Sequence, residues 1–214
     1  MKKLKSLLNG NKSFFLPCIV LWAVGVVFLC LYDKVSIQLW FNEFYADWQN
    51  PLWLFVTFLG DTTFFIICMI AGFFLSRKYV LYSIVMGLSI MIVSYVLKQI
   101  FDEPRPFTVF TELGIFDTVK TVPGYELRSW NSFPSGHTIS AFGLFCMMAF
   151  FLKNHYLKLL VMVVAVLVAY SRVYLMQHFY EDVYVGSMIG VAMAIATYCI
   201  LDNAQWVKKL LKEK

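Results

Sequence analysis

Long apolar stretches separated by short polar ones dominate this chain. Uncharged runs of about 20 residues can cross a bilayer as helices, and residues 14–32, 79–97 and 183–201 are three such runs. Residues 52–76 are long enough but contain Asp61. Residues 138–152 and 159–171 are shorter, and each must borrow polar neighbours: His137 and Ser135 for the first, Arg172 for the second. The pattern predicts an all-α, integral-membrane bundle of six transmembrane helices, forming one domain over residues 1–214. Between the first two spans, residues 33–50 place Val35, Leu39, Trp40, Phe44 and Trp48 near helical spacing. That spacing suits a helix lying in the interface plane. Residues 101–133 form the longest polar stretch and hold Pro104, Pro106, Gly114, Pro123 and Gly124. Long loops in compact domains tend to be lids or binding loops.

Composition supports this picture. The chain is 60% hydrophobic and 14% charged, where soluble domains run at about 45–50% and 25%. Such a balance excludes a soluble core, a disordered chain, a coiled coil and a nucleic-acid-binding module. Six spans put both termini on one side, and the Lys/Arg bias selects the cytoplasm for them. The inner set is then Lys2, Lys3, Lys5, Lys12, Arg77, Lys78, Lys153, Lys158, Lys208, Lys209, Lys212 and Lys214, with only Asp202 and Glu213 as inner acids. The basic start precedes an apolar run too long for a signal peptide, so it is read as an uncleaved first span. The five cysteines all fall inside apolar runs, and neither a disulfide framework nor C-x-x-C metal spacing is present.

The remaining polar residues gather at outer ends of spans. One cluster holds Lys98, Arg105 and Pro106, a second Pro134, Ser135, Gly136 and His137, and a third Ser171, Arg172, His178 and Asp182. The topology from Lys/Arg counts places all three on one face. Cations at membrane depth are costly and usually functional. Arginine forks match phosphate oxygens, and lysine adds a point charge. Ser135 and Gly136 precede a helix whose first amides are free to hold an anion. Together these make a pocket for a multiply charged oxyanion. His178 and Asp182 are i and i+4, so a helix stacks them on one face. A carboxylate on one ring nitrogen leaves the other a better nucleophile. His137 stands at the opposite edge and can protonate a leaving oxygen. Nucleophile, orienting acid, general acid and clamps are the parts needed for covalent phosphoryl transfer.

The three strings read K-x6-R-P, P-S-G-H and S-R-x5-H-x3-D. In these fixed positions the chain resembles the type 2 phosphatidic acid phosphatase (PAP2) superfamily, which shares its core with vanadate-dependent haloperoxidases. Six spans argue against the soluble haloperoxidase branch. The resemblance implies a lipid phosphatase that needs no metal or other cofactor and works through a phosphohistidine. It assigns His178 as nucleophile, Asp182 as its orienting acid and His137 as the acid for the leaving group. Lys98, Arg105 and Arg172, with the backbone at Ser135 and Gly136, would hold the phosphate. The partner is then a lipid of the surrounding bilayer: undecaprenyl pyrophosphate, phosphatidylglycerol phosphate, phosphatidic acid or a lipid A phosphate. A lysine-rich, compact chain of this kind looks bacterial, which implies the inner membrane with a periplasmic site. Transfer of the phosphoryl group to an acceptor other than water, and transport of an anionic lipid, are the alternatives.

The other polar residues carry plainer readings. Arg128 and Lys120 read as solvated loop charges, with headgroup contact as the alternative, Glu103 and Glu181 as solvated neighbours of the motifs, and His155 as inert. Asp61 suits either a place near the site or a helix cap near the outer surface.

Overall fold

The computed structural model describes residues 2–74 and 76–211, and all regular structure among them is helical. In chain order the helices are α1 (Lys2–Gly10), α2 (Lys12–Leu31), α3 (Lys34–Glu43), α4 (Asn50–Phe58), α5 (Thr62–Ala71) and α6 (Arg77–Phe101). They continue with α7 (Pro106–Glu112), α8 (Gly136–Phe151), α9 (His155–Tyr174), α10 (Tyr180–Asn203) and α11 (Gln205–Leu211). Of the inner charged set, Lys212, Glu213 and Lys214 lie outside the described residues, as does the side chain of Lys2. Leu75, in the expected second span, lies outside them too.

Short polar residues set several boundaries. Asp33 caps α3 by accepting from the amides of Val35 and Ser36. Ser76 caps α6 and Asn154 caps α9 in the same way. These oxygens satisfy amides that a helix start leaves without partners. α6 ends where Asp102 turns left-handed at φ 40°, two residues before Pro104, which cannot continue a helix.

The span count differs from expectation. α2, α6, α9 and α10 are long and apolar enough to cross a membrane, whereas α4 and α5 qualify only as a pair bent by 57°. α8 has 16 residues, about 24 Å at 1.5 Å per residue, short of a hydrocarbon core of about 30 Å. By length and apolarity alone, four helices, or five with the bent pair counted as one, answer to the six expected spans. The reason lies in the surroundings of α8. Ten of its residues are buried, because α5, α6, α9 and α10 pack around it. Backbones approach closely there. A Cβ on Gly190 would stand 2.5 Å from the Ile139 carbonyl oxygen, and one on Gly186 would stand 3.0 Å from that of Ser135. Small residues spaced by four let membrane helices pack in this way.

The bundle has two chemically distinct ends. At one, Asp202 pairs with Lys3 at 3.3 Å and Lys78 at 2.8 Å, and Lys158 donates to the Gly10 carbonyl and the Asn11 side chain. These contacts join the starts of α1 and α6 to the end of α10, and the start of α9 to the α1–α2 junction. The opposite end gathers the Gly60–Asp61 break, residues 102–105, 132–135 and 175–179, and the outer loop. Of the stretch 33–50, only residues 34–43 form α3, so Phe44 and Trp48 fall beyond it; Val35 and Leu39 pack on Phe110, Met176 and Phe179.

Candidate active site

At the second end lies a polar cavity of about 290 Å³. Lys98, Arg105, Gly136, His137, Arg172 and His178 line it, so six of the eight expected residues meet there. Ser135 and Asp182 stand behind its wall, with 0% and 1% of their surface exposed.

His178 sits in the turn between α9 and α10, where Met176 takes φ 55°. Backbone geometry of that kind persists only where its surroundings fix it. The buried Gln38 of α3 does so, donating to the Val173 carbonyl and the Met176 sulfur. His178 Nδ1 lies 3.3 Å from Asp182 Oδ2, which leaves Nε2 for the cavity. Burial, then the nearby charges of Arg105, Arg172 and Lys98, hold the His178 imidazole well below its ordinary titration range. Both effects favour the neutral ring, the form with a free nitrogen lone pair.

Asp182 Oδ2 accepts from Ser132 Oγ at 2.5 Å and from the Phe179 amide at 3.0 Å. Ser132 is 1% exposed. The Asp182 carbonyl also accepts from the Ser135 amide at 3.1 Å. The 132–135 loop thus grips Asp182 by side chain and backbone. One consequence corrects the simplest view of the anion cradle: the Ser135 amide is already engaged. Ser135 makes no side-chain cap on α8, so the amides of Gly136 and His137 remain unpartnered at the helix start.

The cations differ in how fully the protein uses them. Arg105 donates to the carbonyls of Trp130, Gln177 and Asn131 and to the Gln177 side chain. Four of its five N–H groups thus fasten the outer loop at residues 130–131 and the α9–α10 turn at Gln177, and its service to an anion is mainly its charge. Arg172 donates to Thr57 at 2.6 Å and Tyr125 at 3.3 Å, while its buried Nε has no partner. Lys98 makes no ion pair among the described residues, and a Cβ on Gly136 would lie 4.0 Å from its Nζ.

Asp61 fulfils both readings of the sequence. Its carboxylate accepts from the Thr63 amide and caps α5, and its Oδ2 lies 3.9 Å from His137 Nε2. Arg128 departs from expectation, since it lines the same cavity. Glu103 and Glu181 keep 45% and 39% of their side chains exposed, in line with the solvated reading, and both pair with Lys34, at 3.6 and 3.5 Å. Sequence reasoning missed Ser132, Gln38, Thr57 and Gln177. Only Ser132, two residues before the P-S-G-H string, carried a local signal. Among the described residues no three of His, Cys, Asp and Glu gather as metal ligands would.

The polar cavity continues sideways. A second space of about 310 Å³ shares Lys98, Gly136 and His137 with it and adds Ile90, Met91 and Ser94. That space shares Thr62, Ile90, Met91 and Ser140 with an apolar groove of about 400 Å³ between α5 and α6. The polar cavity and the apolar groove thus adjoin through the space between them.

Fold and pocket together define a multi-pass, all-helical membrane protein with paired histidines among cations at one end. The sequence profile of the PAP2 superfamily matches residues 78–206, and the chain belongs to that superfamily. Among its relatives, undecaprenyl-diphosphatase BcrC of Bacillus subtilis (strain 168) is 30% identical over 114 residues, which are 53% of each chain. The match thus spans about half the length of that relative. Phosphatidylglycerophosphatase B of the same organism is 30% identical over 68% of this chain and 72% of that protein. Two solved structures share the fold. Aquifex aeolicus LpxE aligns with TM-score 0.68 and 24% identity over 77% of this chain and 93% of that one. A transmembrane PAP2-type phosphatidylglycerolphosphate phosphatase from Bacillus subtilis aligns with TM-score 0.64 and 25% identity, over 91% and 97%.

Proposed function

We propose that this protein is a lipid phosphatase that removes a phosphate from a membrane lipid headgroup through a phosphohistidine. One observation carries the reading: the cationic pocket around His178 adjoins, through the space lined by Lys98, His137 and Ile90, the apolar groove between α5 and α6. A water-soluble phosphate ester has no use for such a groove. The names of two relatives, a diphosphatase and a phosphatidylglycerophosphatase, support the same class of chemistry.

In the first step His178 Nε2 attacks phosphorus as the bond to the lipid oxygen breaks. His137 gives that oxygen a proton. In the second step water attacks the phosphohistidine, His137 takes the proton, and orthophosphate leaves. Asp182 holds the His178 ring and offsets its charge in the intermediate. Lys98, Arg105 and Arg172 balance charge on the equatorial oxygens, where such reactions need it most. The amides of Gly136 and His137 complete the cradle, and Ser135 shapes it. Asp61 offsets the surrounding cations at His137 and so helps it carry a proton.

The bundle crosses the membrane six times in this reading, with the bent pair as one span and α8, sheltered by its neighbours, as another. The end carrying Lys3, Lys78 and Lys158 then faces the cytoplasm of a bacterial cell, and the pocket opens on the outer leaflet. Phosphate release by the purified protein in detergent, with EDTA present, tests the function. The panel is undecaprenyl pyrophosphate, phosphatidylglycerol phosphate, phosphatidic acid and lipid A, with His178→Ala as control. Release from one lipid, lost in the variant, is the expected result. Release that survives His178→Ala above about 1% of the parent rate would overturn the nucleophile, since such removals cost several decades.

A further inference from the structure

We propose that Arg128 binds the second phosphate of a lipid diphosphate, which makes diphosphates the preferred substrate class of this pocket. The inference rests on the phosphatase reading and deepens it.

Arg128 belongs to none of the three motif strings. The outer loop carries it to the cavity that Lys98, Arg105 and Arg172 line. It is near enough to act electrostatically on all three. Like charges brought together in this way repel, so its position is unfavourable until an anion arrives. Arg128 has no hydrogen bond or ion pair among the described residues, although Glu126 lines the same cavity.

Depth separates Arg128 from the other arginines. Arg105 and Arg172 are 3% and 4% exposed, beside His178 at 1%, whereas Arg128 is exposed. The buried pair, with Lys98, surrounds the phosphoryl group that His178 attacks. A monophosphate ester places only its lipid oxygen between that group and the tail. A diphosphate places a second phosphate there, at the rim, where Arg128 is the cation with its whole fork free. The planar fork suits two phosphate oxygens at once.

The chemistry balances. His178 Nε2 bonds to the terminal phosphorus as the bond from that phosphorus to the bridging oxygen breaks. The bridging oxygen keeps the electron pair, takes the proton that His137 holds and departs within a lipid monophosphate, whose remaining charge Arg128 offsets. Water then cleaves the phosphohistidine, its proton passes to His137, and orthophosphate leaves.

The test compares farnesyl diphosphate with farnesyl monophosphate, two probes with one tail, on the full-length protein in detergent with EDTA. The parent should favour the diphosphate in kcat/KM. Arg128→Gln should lower the diphosphate-to-monophosphate ratio at least fivefold, and Arg128→Lys should lower it less. A ratio that falls less than fivefold in Arg128→Gln, or a parent that favours the monophosphate, overturns the inference while leaving the phosphatase reading intact. Phosphate release from neither probe, nor from any lipid of the panel above, removes both. A second measurement needs no variant. Inorganic pyrophosphate should inhibit the parent at least fivefold more strongly than orthophosphate, and equal inhibition overturns the inference.

Discussion

Replacing Ser132 by alanine tests whether Asp182 acts as an oriented carboxylate. The Ser132 hydroxyl is one of two donors to Asp182 Oδ2 besides the His178 ring, at 2.5 Å against 3.0 Å for the Phe179 amide. Both residues are 1% exposed, so water cannot readily replace the lost donor. Hydrogen bonds to charged groups contribute about 1.5–3 kcal/mol. At about 1.4 kcal/mol per tenfold, kcat/KM should fall roughly 10- to 150-fold. The pH profile separates this from simple misfolding. A carboxylate that loses a donor takes up a proton more readily. The reaction needs the carboxylate ionised, so activity is lost as pH falls, and in Ser132→Ala that loss should begin at higher pH. Ser132→Thr retains the hydroxyl and should recover most of the rate. Phosphate release measured from pH 5 to 8 reads all three effects. A Ser132→Ala enzyme within threefold of the parent, with an unmoved acid limb, would refute the reasoning.

Other expectations follow from single contacts. Gly190→Ala should destabilise the bundle by about 1–3 kcal/mol, because its Cβ would lie 2.5 Å from a backbone oxygen that cannot swing away; a thermal midpoint within 1 °C of the parent, to order of magnitude for such an overpacked site, would count against the close α8–α10 contact. Burial and neighbouring cations lower the His178 titration, so its imidazole should remain neutral below the ordinary value of about 6.5. Nitrogen NMR of labelled histidine at pH 6, compared with His178→Ala, checks this, and an imidazolium signal from His178 would contradict it. Gly87→Trp should obstruct the groove, since even a Cβ there meets the Phe65 ring at 3.0 Å. Its kcat/KM for a long-chain lipid phosphate should fall about tenfold more than for a short-chain one, a difference of about 1.4 kcal/mol, and equal losses would exclude the groove as the tail path.

Much of the site was legible before any coordinates, because its residues are rare in apolar surroundings. A lysine, two arginines and two histidines at the ends of spans have few plain explanations, and the structure brings all five to one cavity. The supporting residues were not legible. Gln38, Thr57 and Gln177 act across 135, 115 and 72 positions of sequence, and nothing local marks them. Arg128 read as a solvated charge because its neighbours in sequence are loop residues, while its neighbours in space are cations. The helical fold followed from the apolar runs, yet the burial of α8 did not. A side chain that faces lipid and one that faces another helix are equally apolar, so composition cannot tell a central helix from a peripheral one. The α4–α5 bend had a visible cause in Gly60 and Asp61, but only the fold brings Asp61 beside His137.

The unneutralised cations have a consequence for turnover. Lys98 has no acid partner among the described residues, and Arg172 holds a buried N–H with none. Under the proposed function, groups arranged to hold a charged headgroup also attract the orthophosphate that leaves it. The last step of each cycle therefore works against the same attraction that began it. Many enzymes are limited by such departures, and this one should slow as phosphate accumulates. Under the proposed function its output would then follow the phosphate concentration at the pocket as well as the supply of lipid.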